Sequence, residues 1–437
     1  MLFRKPDPAG KHFSPYMVLI PGRAITAFYM INPTPNKARS LNCLNWLNFS
    51  AADVATGLGP FLAVYLASNL KWDPSKIGIA IGAMSLATVV AQSPAGWLCD
   101  VSDKKRLGIV VVTLTICIAG FCMLFFPSFY AVIGCQIAIG VAATFFGPVL
   151  ISLAMGIGGV DRFDHTISRN QTFNHAGNVA SAVIIGLLGK FTNNEGIFYG
   201  LAIFCVMSII FTLGIREKDI SHQTGAPVDE EKSAKIGIIT MLKNKGYLIL
   251  LFSAILFHFA NAAMLPLVGQ ELGRDEGSNA SLYMSACIVL AQAVMVPIAF
   301  MSGKWAKGGR RKLMIFAFMM LPIRGILYTL YKGAPYLVSI QVLDGIAGGI
   351  FSVVSILMVS DLFKGSGKEN FAQGILATSV GIGASLSNVI SGYIVSHAGF
   401  DYGMFILAAI AFVAFVIFYW KMPETVNVTA RSLAPAG

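Results

Sequence analysis

The chain has 437 residues, 56% of them apolar and 12% charged, with a mean hydropathy of +0.70. A water-soluble domain does not tolerate that much apolar surface, so a soluble enzyme or binding module is excluded and a membrane-spanning chain is expected. The net charge of +11 suggests nucleic-acid binding only if the cations share one surface, and their spacing between apolar segments argues against it.

Residues 1–40 read as a cytoplasmic tail. The weakly apolar stretch Tyr16–Ile31 carries Pro21 and Arg23 and lacks a small-residue cleavage site, which suits an interfacial segment rather than a signal peptide. Met30 is an alternative start. Windows of roughly 20 mostly apolar residues, the length of one span, then begin near positions 43, 77, 107, 129, 170 and 197. After a charged stretch at 216–245 they resume near 247, 281, 313, 335, 374 and 402. The expectation is an all-α membrane protein of twelve transmembrane helices in two six-helix halves, 41–215 and 246–421. An inter-half linker lies at 216–245 and a second tail at 422–437.

Charge placement sets the topology. With the N-terminus inside, inward loops hold Lys104, Lys105, Arg106, Arg162, Arg169, Arg216, Lys218, Lys232, Lys235, Lys243, Lys245, Lys304, Lys307, Arg310, Arg311 and Lys312. Outward loops hold Lys71, Lys76, Lys190, Arg274 and Lys332. The positive-inside rule then places both termini in the cytoplasm, and the short loops suit a bacterial inner membrane. The seven cysteines lie in spans or at the cytoplasmic edge without a CxxC pair, indicating neither disulfides nor a metal site.

Features of the first half recur about 205 to 208 positions later. Gly96 and its basic cluster return as Gly303 and Lys304 to Lys312. Gln136 and Gly140 return as Gln341 and Gly345, Gly177 and Gly186 as Gly383 and Gly392, and Ala52–Asp53 as Ala260–Asn261. The constant offset points to an internal duplication. The small residues of spans 4, 5, 10 and 11 fit close helix contacts inside the bundle.

After span 2 the chain reads Gly96-Trp-Leu-Cys-Asp100-Val-Ser-Asp-Lys104-Lys105-Arg106, which resembles the signature of the major facilitator superfamily. The 6+6 repeat, the inward termini and the central linker extend the resemblance over nearly the whole chain. Val101 and Asp103 stand where arginine and glycine are usual, and Lys307 where the second copy has aspartate. The resemblance implies the major facilitator fold, with Gly96, Asp100, Lys104, Lys105 and Arg106 acting as a cytoplasmic gating latch. Proton-driven drug exporters of this family carry an arginine where Gln136 stands, and a Gly-Pro pair where this chain has Gly177-Asn178.

Ionisable groups at membrane depth are costly, so each is a candidate functional residue. Asp53 lies midway along span 1, before Gly57, Gly59 and Pro60, which allow a bend. His258 and Asn261 share a face of span 7, with His258 expected opposite Asp53 across a central cavity. Asn174, His175 and Asn178 line span 5, with Asn48, Gln136 and Gln341 as further cavity candidates. Arg324 and Asp344 should reach similar depth on antiparallel spans 9 and 10 and form an ion pair. Asp53, Asp344 and His258 are the proton-coupling candidates.

These residues fit a secondary transporter moving a small polar or organic solute by alternating access, with a proton-coupled exporter preferred. The alternatives are a transition-metal exporter, using Asp53, His175 and His258 as ligands, and an uncoupled or symport carrier of an organic anion. The chain contains no GxxxxGK[ST] loop, HExxH or GxSxG, so neither an ATP-driven pump nor an enzyme is expected. No cofactor is implied. The expected partners are a small-molecule substrate, protons and the lipid bilayer, without nucleic acid, and the chain is expected to be a monomer.

Overall fold

A computed structural model describes residues 35–159, 162–221, 241, 243–364 and 369–426. The tail with its alternative start, and the middle of the linker, lie outside the described residues.

Among them, sixteen α-helices compose twelve spans. Span 1 comprises α1 (Pro35–Val54) and α2 (Gly59–Ser68), followed by span 2, α3 (Pro74–Val101), and span 3, α4 (Lys105–Phe125). Span 4 comprises α5 (Phe129–Ala143) and α6 (Phe146–Gly158); α7 (Phe163–Phe191) and α8 (Gly196–Gly214) are spans 5 and 6. The second half repeats the plan. Span 7 is α9 (Lys245–Ala262) with α10 (Met264–Asp275), span 8 is α11 (Ala280–Trp305) and span 9 is α12 (Arg310–Leu330). Span 10 is α13 (Ala334–Ser339) with α14 (Gln341–Phe363), and spans 11 and 12 are α15 (Glu369–Ala398) and α16 (Phe400–Lys421). Eleven of these segments are long and apolar enough to cross a membrane. The exception, α7, is 29 residues long, but Arg169, Asn170, Gln171, Asn174, His175 and Asn178 make it more polar than the other spans.

The first span of each three-helix unit is broken. Proline has no N–H for the carbonyl four residues earlier, so Pro60, Pro148 and Pro266 release the carbonyls of Thr56, Thr144 and Ala262, where spans 1, 4 and 7 are interrupted. Span 10 breaks at Ile340 without such a proline. The break in span 1 is the sharpest, because Gly57, Leu58 and Gly59 all adopt positive φ angles, 55°, 74° and 46°. For Leu58 that conformation is strained, and it is retained with the side chain 1% exposed in the core.

The repeated glycines are helix contacts. A Cβ on Gly140 would press on the backbone of Met84 in span 2, and one on Gly345 on the backbone of Ala291 in span 8. Gly177 lies against the backbone of Phe49 in span 1, and Gly383 against that of Ile255 in span 7. These pairs match across the duplication, and small residues are what let membrane helices approach this closely.

Between the halves, span 2 packs on span 11, span 5 on span 8, and α2 on α10. Close approaches, Gly392 to Pro74, Gly189 to Ser281 and Gly273 to Val64, lie at the end with fewer basic residues. Hydrogen bonds join the halves there at Asn194. Its Nδ2 donates to Ser68 Oγ (3.0 Å) and Gly277 O (3.1 Å), while its Oδ1 accepts from Ser281 Oγ (2.6 Å) and Ser281 N (3.3 Å). One hydrophobic core runs through both halves at this end, from Leu62 and Phe198 to Met264 and Leu272. A second core, around Tyr247, Phe318, Phe351 and Phe418, belongs to the second half alone. The molecule is therefore closed at the end with fewer basic residues, and its cavities open toward the basic end.

Candidate functional site

Asp53 sits at the C-terminal end of α1, one turn before the break. Thr56 N (2.9 Å) and Thr56 Oγ1 (2.7 Å) both donate to the Asp53 carbonyl, so the last turn of α1 closes on itself. The side chain is 6% exposed and its Oδ2 has no hydrogen-bond partner. It lines a cavity of about 190 Å³ with Asn178 and Ser181 of span 5, Leu265 of span 7, and Ile288 and Gln292 of span 8. Gln292 Oε1 is also buried without a partner.

A second cavity, about 350 Å³, shares Thr56, Pro60 and Leu265 with the first. Its walls come from both halves, including Met84 and Ser85 of span 2 and Asn261, Arg324, Asp344 and Asn388. Arg324 is 0% exposed and its guanidinium is engaged on several sides. Nη1 donates to Asp344 Oδ1 (2.6 Å) and Asn261 Oδ1 (2.5 Å), Nη2 to Gln341 Oε1 (3.0 Å), and Nε to Tyr328 Oη (3.1 Å). Gln341 Nε2 in turn donates to Tyr328 Oη at 2.8 Å. The expected partners thus meet within a network that also takes in Asn261 and Gln341. Gln341 supports Arg324 from beneath and does not line the cavity.

Toward the basic end, a third space of about 380 Å³ is lined by Asn48, Asn170, Asn174 and Asn178 and shares Thr56 and Asn178 with the Asp53 cavity. Asn174 Nδ2 donates to the Asn48 carbonyl at 3.3 Å. Beyond it, at the basic end of spans 1 and 5, a further space is lined by Asn42, Asn45, Arg162, His165 and Arg169.

Several expectations are corrected. Gln136 is not a cavity residue: it is 1% exposed and points to Met123 Sδ (3.4 Å), because its face of span 4 packs on span 3. His258 does not face Asp53, since its ring lies against Phe257 and Phe351 inside the second half, with Nε2 buried and unpartnered. Although it shares a helix face with Asn261, only Asn261 reaches Arg324. His175 is exposed and lines neither the Asp53 cavity nor the asparagine-lined one. Asp53, His175 and His258 therefore do not converge as metal ligands, and among the described residues no three metal-binding side chains cluster.

The loop motif ties helices within the first half. Arg106 donates to the carbonyls of Thr212 (3.3 Å) and Leu213 (3.1 Å), at the C-terminal end of α8, and pairs with Glu217 at 2.9 Å. Lys105 reaches Ser152 in span 4. The duplicate does the same, with Arg311 reaching the Tyr419 carbonyl near the end of span 12 and Arg310 pairing with Asp361 of span 10 at 3.0 Å. Cations at helix C-termini satisfy carbonyls that the helix leaves open. Gly96 has open space around it and Lys104 is exposed; the Asp100 side chain lies outside the described residues.

The sequence pattern of the Major Facilitator Superfamily matches residues 43–331 and 295–435. The chain belongs to this superfamily. It is 38% identical over 402 residues to an uncharacterised MFS-type transporter of Mycobacterium tuberculosis, covering 91% of this chain and 96% of that protein. The multidrug transporter protein MdtP of Bacillus subtilis is 25% identical over 186 residues, 42% of this chain and 33% of that protein. A point-mutant form of the nucleoside transporter NupG shares the fold, with a TM-score of 0.73 at 16% identity over 89% of this chain and 100% of that one. As a major facilitator, the chain is a multi-pass membrane protein of the secondary-transporter class.

Sequence reasoning about this major facilitator missed Gln292, Thr56, Asn170 and Asn388. Gln292 and Asn388 were available as isolated amides in apolar spans 8 and 11. Thr56 gave no signal, because its importance comes from the break that makes it a shared wall.

Proposed function

We propose that the chain is a proton-coupled exporter of a small organic solute, working by alternating access, with the solute held at mid-span and the coupling proton on Asp53. The observation that carries this reading is the buried Asp53 carboxylate, with no cation among the described residues beside it and Oδ2 without a partner, in a cavity between the halves. An isolated charge in a water-poor setting costs several kcal/mol, on the order of 3 or more; a bound proton removes that cost, and opening to water restores the charge. Asp344 is not the coupling group, because Arg324 balances its charge at 2.6 Å. The basic end is assigned to the cytoplasm by the positive-inside rule, which makes the described state inward-open. Export is supported by the partial likeness to MdtP, a multidrug transporter by name.

The test is reconstitution in liposomes with an internal pH dye, comparing wild type with Asp53→Asn under imposed solute gradients. Solute-dependent proton movement is expected in the wild type and not in the variant. Solute flux without proton movement in the wild type refutes the coupling.

A further inference from the structure

We infer that the mid-span site recognises an organic cation, a solute bearing a protonated amine that takes the place of the proton at Asp53; this rests on the reading of those cavities as the solute site. Two buried acceptors without partners, Asp53 Oδ2 and Gln292 Oε1, face the same small space from spans 1 and 8, one from each half. Acceptors left bare in a buried site call for a donor. An ammonium supplies up to three N–H donors and the opposite charge.

The charge count selects the same class. The charged side chains lining the two mid-span cavities are Asp53, Asp344 and Arg324. Arg324 cancels Asp344, and the charge of Asp53 is left over. Nor does Arg324 offer its fork to a carboxylate or phosphate, because Asp344, Asn261, Gln341 and Tyr328 take four of its five N–H donors. An anionic solute would meet bare acceptors on one side and an occupied guanidinium on the other. Beside the polar Thr56, Asn178 and Ser181, the Asp53 cavity is lined by Leu58, Pro60, Phe61, Ala182, Leu265 and Ile288, an apolar wall that suits the hydrocarbon body of an amine.

Ser181 of α7 offers Asp53 a hydroxyl, but no cation among the described residues takes over the role of balancing its charge. On α7, which packs on α1, Arg162, His165 and Arg169 stand at the basic end; Arg169 is nine residues below Asn178, about 14 Å along a helix. His175 is nearer but exposed. On α8 the titratable groups are Tyr199 and Cys205, neither of them a cation, and α6 carries no ionisable side chain. In the short turn Glu217–Asp219 beyond α8, Asp219 is held by Ser40 (2.6 Å) and Glu217 by Arg106, both at the basic end. Across the cavity, span 8 presents Gln292 and span 7 presents Leu265.

The experiment uses the full chain, purified in detergent, with three matched series: phenylalkylamines of graded length, and the alcohols and carboxylates of the same skeletons. Thermal stabilisation and proton release into a weakly buffered dye solution are read together. Amines are expected to stabilise the wild type and release about one proton per site at low pH, while the other two series do neither. Asp53→Asn abolishes both signals, Asp53→Glu retains them, and Gln292→Met weakens amine binding about tenfold, the equivalent of one hydrogen bond to a charged group. Equal shifts from all three series, a shift from carboxylates alone, or no shift with any overturns the cation assignment. Liposome flux separates this failure from that of the transporter reading. Coupled flux of a neutral or anionic solute without amine binding leaves the transporter and overturns the cation site; amine binding without flux of any solute leaves the cation site and overturns the transporter.

Discussion

Arg324→Met and Asp344→Asn are expected to damage the protein more singly than their effects would suggest when combined. Arg324 is fully buried and Asp344 is 16% exposed, with 2.6 Å between their charged atoms. Arg324→Met strands the carboxylate and takes a donor from Asn261, Gln341 and Tyr328, so the loss expected is about 3–5 kcal/mol, as for a buried pair cut on one side. Asp344→Asn keeps an acceptor for Nη1 but removes the balancing charge, and about 2–3 kcal/mol is expected. The double variant has neither charge to strand. Its loss should fall short of the sum of the singles by at least about 2 kcal/mol, well above the average of about 0.6 for polar contacts between membrane helices. Unfolding titrations of the purified wild type, singles and double give this coupling directly. Additive losses, within about 0.5 kcal/mol, would refute the view that the two charges are held by one another.

Three further outcomes follow from the packing. Asn194→Ala removes three hydrogen bonds between the halves, about 2 kcal/mol at 0.6 apiece, so Ala67→Cys, 1% exposed at the closed end, should react roughly thirtyfold faster with an impermeant maleimide when native cysteines are replaced; an unchanged rate discards the latch. Gly177→Ala and Gly383→Ala set a Cβ against the backbones of Phe49 and Ile255 and should each lower stability by about 1–3 kcal/mol. Gly96→Ala and Gly303→Ala, with open space around them, should stay within about 0.5 kcal/mol in the same unfolding titrations. Arg106→Ala and Arg311→Ala uncover helix-end carbonyls and should cost similar amounts, about 1 kcal/mol each; a large effect in one half alone would deny the shared role.

The fold was legible because it repeats. Gly140 and Gly345, or Gly177 and Gly383, are conspicuous at a fixed offset, and the structure gives the reason: each lies on the backbone of an equivalent neighbour. The Arg324–Asp344 juxtaposition was legible because two antiparallel helices and a short turn fix depth by counting residues. Depth does not fix azimuth, and there the reading failed. Gln136 and His258 stand at plausible heights but point into helix packing, because a rotation of one residue, about 100° on a helix, moves a side chain from cavity to core. Asn194 was missed because a loop residue gains its role only when the end of span 1, the turn before span 8 and span 8 itself meet around it.

The duplication also explains why the two halves differ where the chemistry lies. Asp53 and Asn261 hold equivalent places before the breaks in spans 1 and 7. In the second half the position is an uncharged amide, and it is bound to Arg324 together with Asp344, a neutralised cluster with its hydrogen bonds in place. In the first half it is an acid, and one of its oxygens has no partner. A symmetric pair of neutralised sites would hold the halves in any state with equal ease and give a gradient nothing to act on. A symmetric pair of bare acids would bury two repelling charges around one cavity. On the proposed mechanism, one neutralised and one unsatisfied site leave an uncompensated acid for a proton or a cationic solute to balance, and a difference in affinity between states is what alternating access requires.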